Sequence, residues 1–369
     1  MKTKQETIFF STTNVSSQRY IFFVEYFKNN SIYLNLMSSN KLSSVLRNTI
    51  FYGILFLPSF TYLFFKLILK DLRKIKNIII PFPGILDVVF LYPFCKLFNI
   101  NIIYDAFVNF EQTLVDDRKL IKTIFLKSLI NRIDTLYISL CDYLIVETIQ
   151  IKKFYIDKYK INESKIIVLL SPREVKYDDL IDLKFEQDTV LYFGSYVPLN
   201  GTEYIIKAAN MLKEKNIKFL MIGDGQDKPK CLDLVQKYKL KNIEFLDTLP
   251  FNSIEPEKSL QNYIHSCSIS LGTFSTSLKN NQVIPGKIVD ALACGKIVIT
   301  STNECVDYYL KDSVIKIQSG SPEELAKKIT DVVETNQFDH ISKAALNIYS
   351  LLFSREVFES KIVDELEKL

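Results

Sequence analysis

At 369 residues, with 48% apolar and 24% charged residues, the chain has room for about two domains of ordinary size, each able to bury a core. Its net charge of +4 is too small to argue for nucleic acid, and no arginine-rich block appears. Six scattered cysteines without a C-x-x-C pair, together with only two histidines, argue against a zinc site and against a disulfide framework.

The chain opens Met-Lys-Thr-Lys-Gln-Glu-Thr, with no apolar signal core, so the expected compartment is the cytoplasm. Thr7–Phe10 reads as a first strand, and the Ser/Thr/Asn-rich loop Ser11–Ser17 supplies caps for a helix over about 18–28. Ile32–Met37 reads as a second strand. Residues 50–69 approach the length that spans a bilayer. Lys66 and the Pro58-Ser59 pair interrupt them, and the strands on either side read as one sheet. Lys66, Lys70, Arg73, Lys74 and Lys76 follow against a single Asp71. Apolar surface beside such a cluster suits an anionic membrane, on the inner face in a cytoplasmic protein; a helix buried over the sheet is the alternative. Strands at 77–81, 100–104, 143–147 and 166–170 then alternate with helices at 87–97, 119–140 and 149–158. Asp105 leaves its strand at the carboxyl end, where ligands bind in open α/β sheets.

Residues 171–188 are charge-rich and aperiodic and read as a linker. The alternation restarts with a strand at 190–194, a loop Ser195–Gly201 and a helix from Thr202. A strand at 218–222 runs into the turn Gly223-Asp224-Gly225, and Asn242–Asp247 with Leu249-Pro250 forms the next strand and its exit. After Tyr263–Leu271 comes Val283-Ile284-Pro285-Gly286-Lys287-Ile288-Val289-Asp290, a loop turning into a helix that Gly295 stops before the strand at 297–299. Such a helix start offers unpaired N–H groups and the positive end of a dipole, which suit a phosphate. Lys287 is unfavourable for the helix alone and makes sense beside an anion, and Asp290 could take hydroxyl hydrogen bonds. A strand at 313–317, a capped helix from Ser321 and a long helix over about 341–369 complete the chain. Alternation of this kind gives an α/β fold.

Pro285, Lys287, Asp290, Ala293, Gly295 and Lys296 resemble the P-x-K-x-x-E-x-x-A-x-G-K signature of family 4 (GT-B fold) glycosyltransferases. The likeness extends over about 188–360 and is thin over 1–170. It implies two doubly wound Rossmann-like domains facing a cleft: residues 1–172 on the acceptor side, a linker at 173–188 and a donor-binding domain at 189–345. Residues 346–369 would form a helix crossing back to the first domain. The implied donor-binding set is Gly194, Ser195, Asn200, Gly201, Gly223, Asp224, Gly225, Asp247, Leu249, Ile284, Pro285, Gly286, Lys287 and Asp290, with Asp290 on the ribose. Lys287 and Asp105 are the catalytic candidates. Ser195 and Asn200 stand where the family carries two basic phosphate ligands, so either Lys287 and backbone amides hold the diphosphate, the reading favoured here, or donor affinity has been lost.

The implied reaction is retaining transfer of a sugar from a nucleotide diphosphate sugar to a hydroxyl of a saccharide or lipid-linked saccharide, in cell-surface glycan or glycolipid synthesis. It needs neither metal nor cofactor. A catalytically silent partner subunit and a nucleotide-sugar epimerase of the same fold are the alternatives.

Overall fold

The computed structural model describes residues 6–12, 18–33, 45–107, 109, 111–117, 121, 123–335 and 339–369. They divide into two units: one drawn from residues up to Leu170 together with Lys361–Leu369, the other from Ser171–Ser360.

The first unit is built on a parallel sheet. Its strands are β1 (Glu6–Ser11), β2 (Ser31–Tyr33), β3 (Ile75–Pro81), β4 (Asn101–Asp105), β5 (Tyr143–Val146) and β6 (Ile166–Val168), in the order β2-β1-β3-β4-β5-β6. The central strands are continuous apolar runs, such as Ile78-Ile79-Ile80, all fully buried, as a sheet covered on both faces requires. Strand order reverses between β1 and β3, which opens a crevice at their carboxyl ends. The helices are α1 (Gln18–Phe27), α2 (Val45–Ile68), α3 (Ile85–Leu97), α4 (Ile124–Leu140) and α5 (Ile149–Tyr159).

The apolar segment 50–69 lies in α2 and is amphipathic. Phe56, Phe60, Leu63 and Leu67 are buried at helical spacing, while Leu57, Tyr62, Phe65, Ile68 and Leu69 face solvent. Phe56 and Phe60 pack on Phe90 of α3, with ring centroids 5.2 and 5.5 Å apart. Among the described residues no helix is long and apolar enough to cross a membrane.

The second unit repeats the plan. Its strands are β7 (Asp188–Phe193), β8 (Ile217–Ile222), β9 (Ile243–Leu246), β10 (Ile269–Leu271), β11 (Ile297–Ser301) and β12 (Ile315–Ile317), all parallel, in the order β12-β11-β10-β7-β8-β9. The helices are α6 (Thr202–Met211), α7 (Lys228–Tyr238), α8 (Leu260–Ser266), α9 (Gly286–Ala293), α10 (Pro322–Thr335), α11 (Asp339–Leu352) and the start of α12 (Arg355–Glu367), whose residues from Lys361 on belong to the first unit. Ile205, Ile206, Leu325 and Ile329 from α6 and α10 close one face over Tyr192, Phe219, Met221 and Ile299.

Several details differ from the sequence reading. The second strand is described over Ser31–Tyr33, and the rest of its expected range, to Met37, lies outside the described residues, as do 13–17 of the first loop. The helix expected from 119 begins at Ile124. The long helix over 341–369 is two helices, α11 and α12: the Phe353 carbonyl, which a continuing helix would use, accepts from the Arg173 N–H instead at 2.9 Å. Residues 171–187 hold only a short turn (Tyr177–Asp179), yet they are docked. Ile181 N–H donates to Asn262 Oδ1 at 3.1 Å and Leu183 N–H to Ser266 Oγ at 2.7 Å, both on α8. In the first unit, Ile362 and Leu366 of α12 line a small cavity with Phe23, Ile79, Ile145, Ile167 and Leu169.

Candidate active site

In the second sheet the order reverses between β7 and β10, so the loops leaving their carboxyl ends frame a crevice of the kind that holds ligands in open α/β sheets. The loop after β7 (Gly194–Gly201) interlocks with the turn after β8 (Gly223–Asp227). Tyr196 N–H donates to Asp224 O at 3.0 Å, and Asp227 N–H returns to Tyr196 O at 3.0 Å. Glycine is obligatory here: at Gly223, with φ +131°, a β-carbon would lie 2.1 Å from the Gly194 carbonyl oxygen. The loop after β10 is fixed by a buried network. Asn280 accepts from Thr273 Oγ1 at 2.9 Å and donates to Ser301 Oγ at 3.0 Å.

That loop delivers the chain to α9. Pro285 precedes the helix, and no side chain caps its start, so its first N–H groups are offered to the crevice. Ile288, Val289, Ala291, Leu292 and Ala293 pin the helix by burial. Lys287, in the first turn, lays its amine over the Tyr192 ring, 3.9 Å from the centroid, beneath the backbone of Gly194. The amine is shielded from solvent and has no hydrogen-bond partner. Burial alone pulls its pKa down to about 7, so an arriving anion would both pair with it and restore its charge.

Asp290 lies one turn on. Arg173 Nε is 2.9 Å from its Oδ1, and both side chains are largely buried. Burial pushes the Asp290 carboxyl above the usual carboxylate range, and the Arg173 guanidinium partly offsets the rise. Arg173 also packs on the helix start, where a β-carbon at Gly286 would fall 1.9 Å from its Nη2.

The structure thus brings Gly194, Gly223, Gly225, Ile284, Pro285, Gly286, Lys287 and Asp290 to one edge of the second sheet. Asn200 is there too, but its amide donates to the Ser195 carbonyl, which also accepts from Tyr192 Oη at 2.9 Å. It therefore braces the loop. Gly201, with φ +64°, packs against the Phe274-Ser275 backbone, and Ser195 is exposed. Asp224 caps its own turn by accepting from Gly225 N–H at 2.8 Å. Asp247 is fully exposed, with Lys228 at 3.4 Å, and Leu249 is half-buried.

Asp105 belongs to the first unit. Its carboxylate takes Arg19 Nε and Nη2 at 2.9–3.2 Å, while Arg19 Nη1 donates to Leu169 O at 2.7 Å. This buried fork joins α1, β4 and the exit of β6, which is positioning work. At the reversal of the same sheet, buried Asp87 accepts from Thr12 N–H at 3.1 Å and Thr12 Oγ1 at 2.8 Å. Sequence reasoning missed Asp87, Arg173 and the Thr273–Asn280–Ser301 network. The one available signal was that Arg173 is the sole arginine between Arg132 and Arg355 in a lysine-rich chain.

Residues 187–335 match the family model for glycosyl transferases group 1. An uncharacterized glycosyltransferase of Methanocaldococcus jannaschii is 24% identical over 149 residues, and WcaI of Escherichia coli, described as a colanic acid biosynthesis glycosyl transferase, is 26% identical over 122. Those alignments cover 40% and 33% of this chain, and 38% and 28% of the two relatives. Among solved structures, HepE from Anabaena in complex with UDP superposes with a TM-score of 0.72 at 12% identity, over 99% of this chain and 100% of that one. Sucrose-phosphate synthase from Thermosynechococcus elongatus gives 0.71 at 13% identity, over 99% of both chains. The two parallel six-stranded sheets and the likeness to these solved structures place the chain on the GT-B fold, and residues 187–335 of its second unit resemble the glycosyl transferases group 1 family.

Proposed function

We propose that the protein is a glycosyltransferase that takes a sugar from a nucleotide diphosphate sugar held at the start of α9. The observation that carries this reading is the Lys287 amine, buried, unpartnered and set beside uncapped helix N–H groups under Gly194. As the bond from the sugar's anomeric carbon to the diphosphate breaks, its electron pair goes to the phosphate oxygen. Fixed N–H groups and a lysine stabilise that charge without reorganising. Asp290 would accept from the ribose hydroxyls. With the charge supplied this way, we read the transfer as metal-independent and, on family likeness, as retaining.

The acceptor is a saccharide or lipid-linked saccharide in this reading. The exposed Leu57, Phe65 and Leu69, next to Lys70, Arg73 and Lys74, support attachment to an anionic membrane surface. The colanic acid relative is in keeping with a role in surface glycan synthesis.

A thermal-shift screen with UDP, GDP and CMP and their sugars tests the donor. A ligand at a hundred times its Kd adds about 2.7 kcal/mol of stability. With the donor found, Lys287→Ala should lower kcat on the order of 100-fold in a folded variant, with EDTA leaving the wild type unaffected. A near-normal kcat in Lys287→Ala would remove Lys287 from the leaving-group site, whereas a wild type that turns over no donor would favour a catalytically silent subunit.

A further inference from the structure

The family pattern places two cations on the donor diphosphate from the loop after the first strand of the domain, and here those places hold Ser195 and Asn200, which carry no charge. The fold brings a cation from elsewhere. Arg173, in the segment that enters the second unit, is held from both sides: its N–H donates to Phe353 O at 2.9 Å, and its carbonyl accepts from Tyr349 Oη at 2.9 Å. Its side chain lies along the Gly286–Asp290 face of α9. A β-carbon at Gly286 would fall 1.9 Å from Nη2, so a larger residue there would displace the end of the guanidinium.

A guanidinium is electrostatically misplaced at this end of a helix, where the dipole is already positive. Lys287 stands at the same helix start. Asp290 balances the Arg173 charge, and the buried Lys287 amine beside them regains its own charge when an anion binds. Nε is taken by Asp290 at 2.9 Å and Nη1 donates to the Pro172 carbonyl at 2.9 Å, which leaves Nη2, at the helix start, to meet a phosphate oxygen.

Resting on the donor-site reading above, we propose that Arg173 is the second cation of the diphosphate site, contributed from the entry segment in place of the missing loop cations. Lys287 and Arg173 then address the diphosphate from two sides of the helix start, and Asp290 aims the guanidinium while keeping its second oxygen for the ribose.

The test compares a nucleoside diphosphate with its nucleoside, UDP against uridine, by calorimetry on wild type, Arg173→Gln and Arg173→Lys. If the screen selects guanine, the pair is GDP and guanosine. A charge-assisted contact to phosphate predicts that Arg173→Gln weakens the diphosphate about 10- to 100-fold and changes the nucleoside little, with Arg173→Lys between. Equal losses for both ligands would mean that Arg173 only braces Asp290, and would overturn the proposal, as would unchanged diphosphate affinity. A wild-type protein that binds no nucleoside diphosphate would overturn the donor-site reading itself. Matching melting temperatures for the free variants separate these outcomes from misfolding.

Discussion

A carboxyl group that no motif marks sets the pH response expected of the first unit. Asp87 is fully buried in the first turn of α3, and burial holds its pKa up at about 7 despite the two donors from Thr12. In an unfolded chain the same group titrates near 4 (roughly 3.9). Between those values the folded state keeps a proton that the unfolded state has lost, so this residue makes stability fall as pH rises from about 4 to about 7, by at most about 1.4 kcal/mol per pH unit. Asp87→Asn keeps an acceptor for the Thr12 N–H and removes the titration. Its stability relative to wild type, from urea unfolding, should therefore be greater at pH 8 than at pH 5. An equal difference at the two pH values would rule the effect out. The Thr12 partner is 75 residues away, and that distance explains why composition and spacing left Asp87 unremarked. Lys287 and Asp290 could be singled out from the sequence because both fall in a turn and a half of contiguous chain at a helix start. Arg173 could not, since only the tertiary fold lays an entry segment along α9.

At the scale of elements, the alternation of strands and helices was readable because strands buried on both faces are continuous apolar runs. The break between α11 and α12 was not readable, because it depends on a distant N–H capturing the Phe353 carbonyl. The loops after β7 and β8 show how a backbone contact does what side chains cannot. Gly223 and Gly194 pass so closely that Gly223→Ala must part them. Its positive φ adds strain of about 1–3 kcal/mol. Gly223→Ala should lower the melting temperature and abolish measurable nucleoside diphosphate binding. A variant that melts and binds like wild type would show that this approach does not shape the crevice.

For the whole molecule, the surface of the first unit raises the question that residues 50–69 posed. Burial of one stripe of α2 settles its place in the fold, and its other stripe stays exposed beside Lys66, Arg73 and Lys74. Sedimentation with vesicles containing anionic lipid should capture the protein, less so as salt rises and less so for a Lys70, Arg73 and Lys74 to Glu triple variant. Capture that ignores lipid charge and salt would leave the basic cluster without this role. A different consequence follows from the place of α12 in chain order, after the whole of the second unit. Ile362 and Leu366 complete a hydrophobic patch whose other members, Phe23, Ile79, Ile145, Ile167 and Leu169, are made long before them. During synthesis the first unit must therefore wait, with that patch uncovered, while the ribosome produces the whole of the second, and it can close only when Ile362 and Leu366 of α12 emerge. The order of translation and the order of completion are opposed, so the nascent chain is most exposed to misassociation in the interval between them.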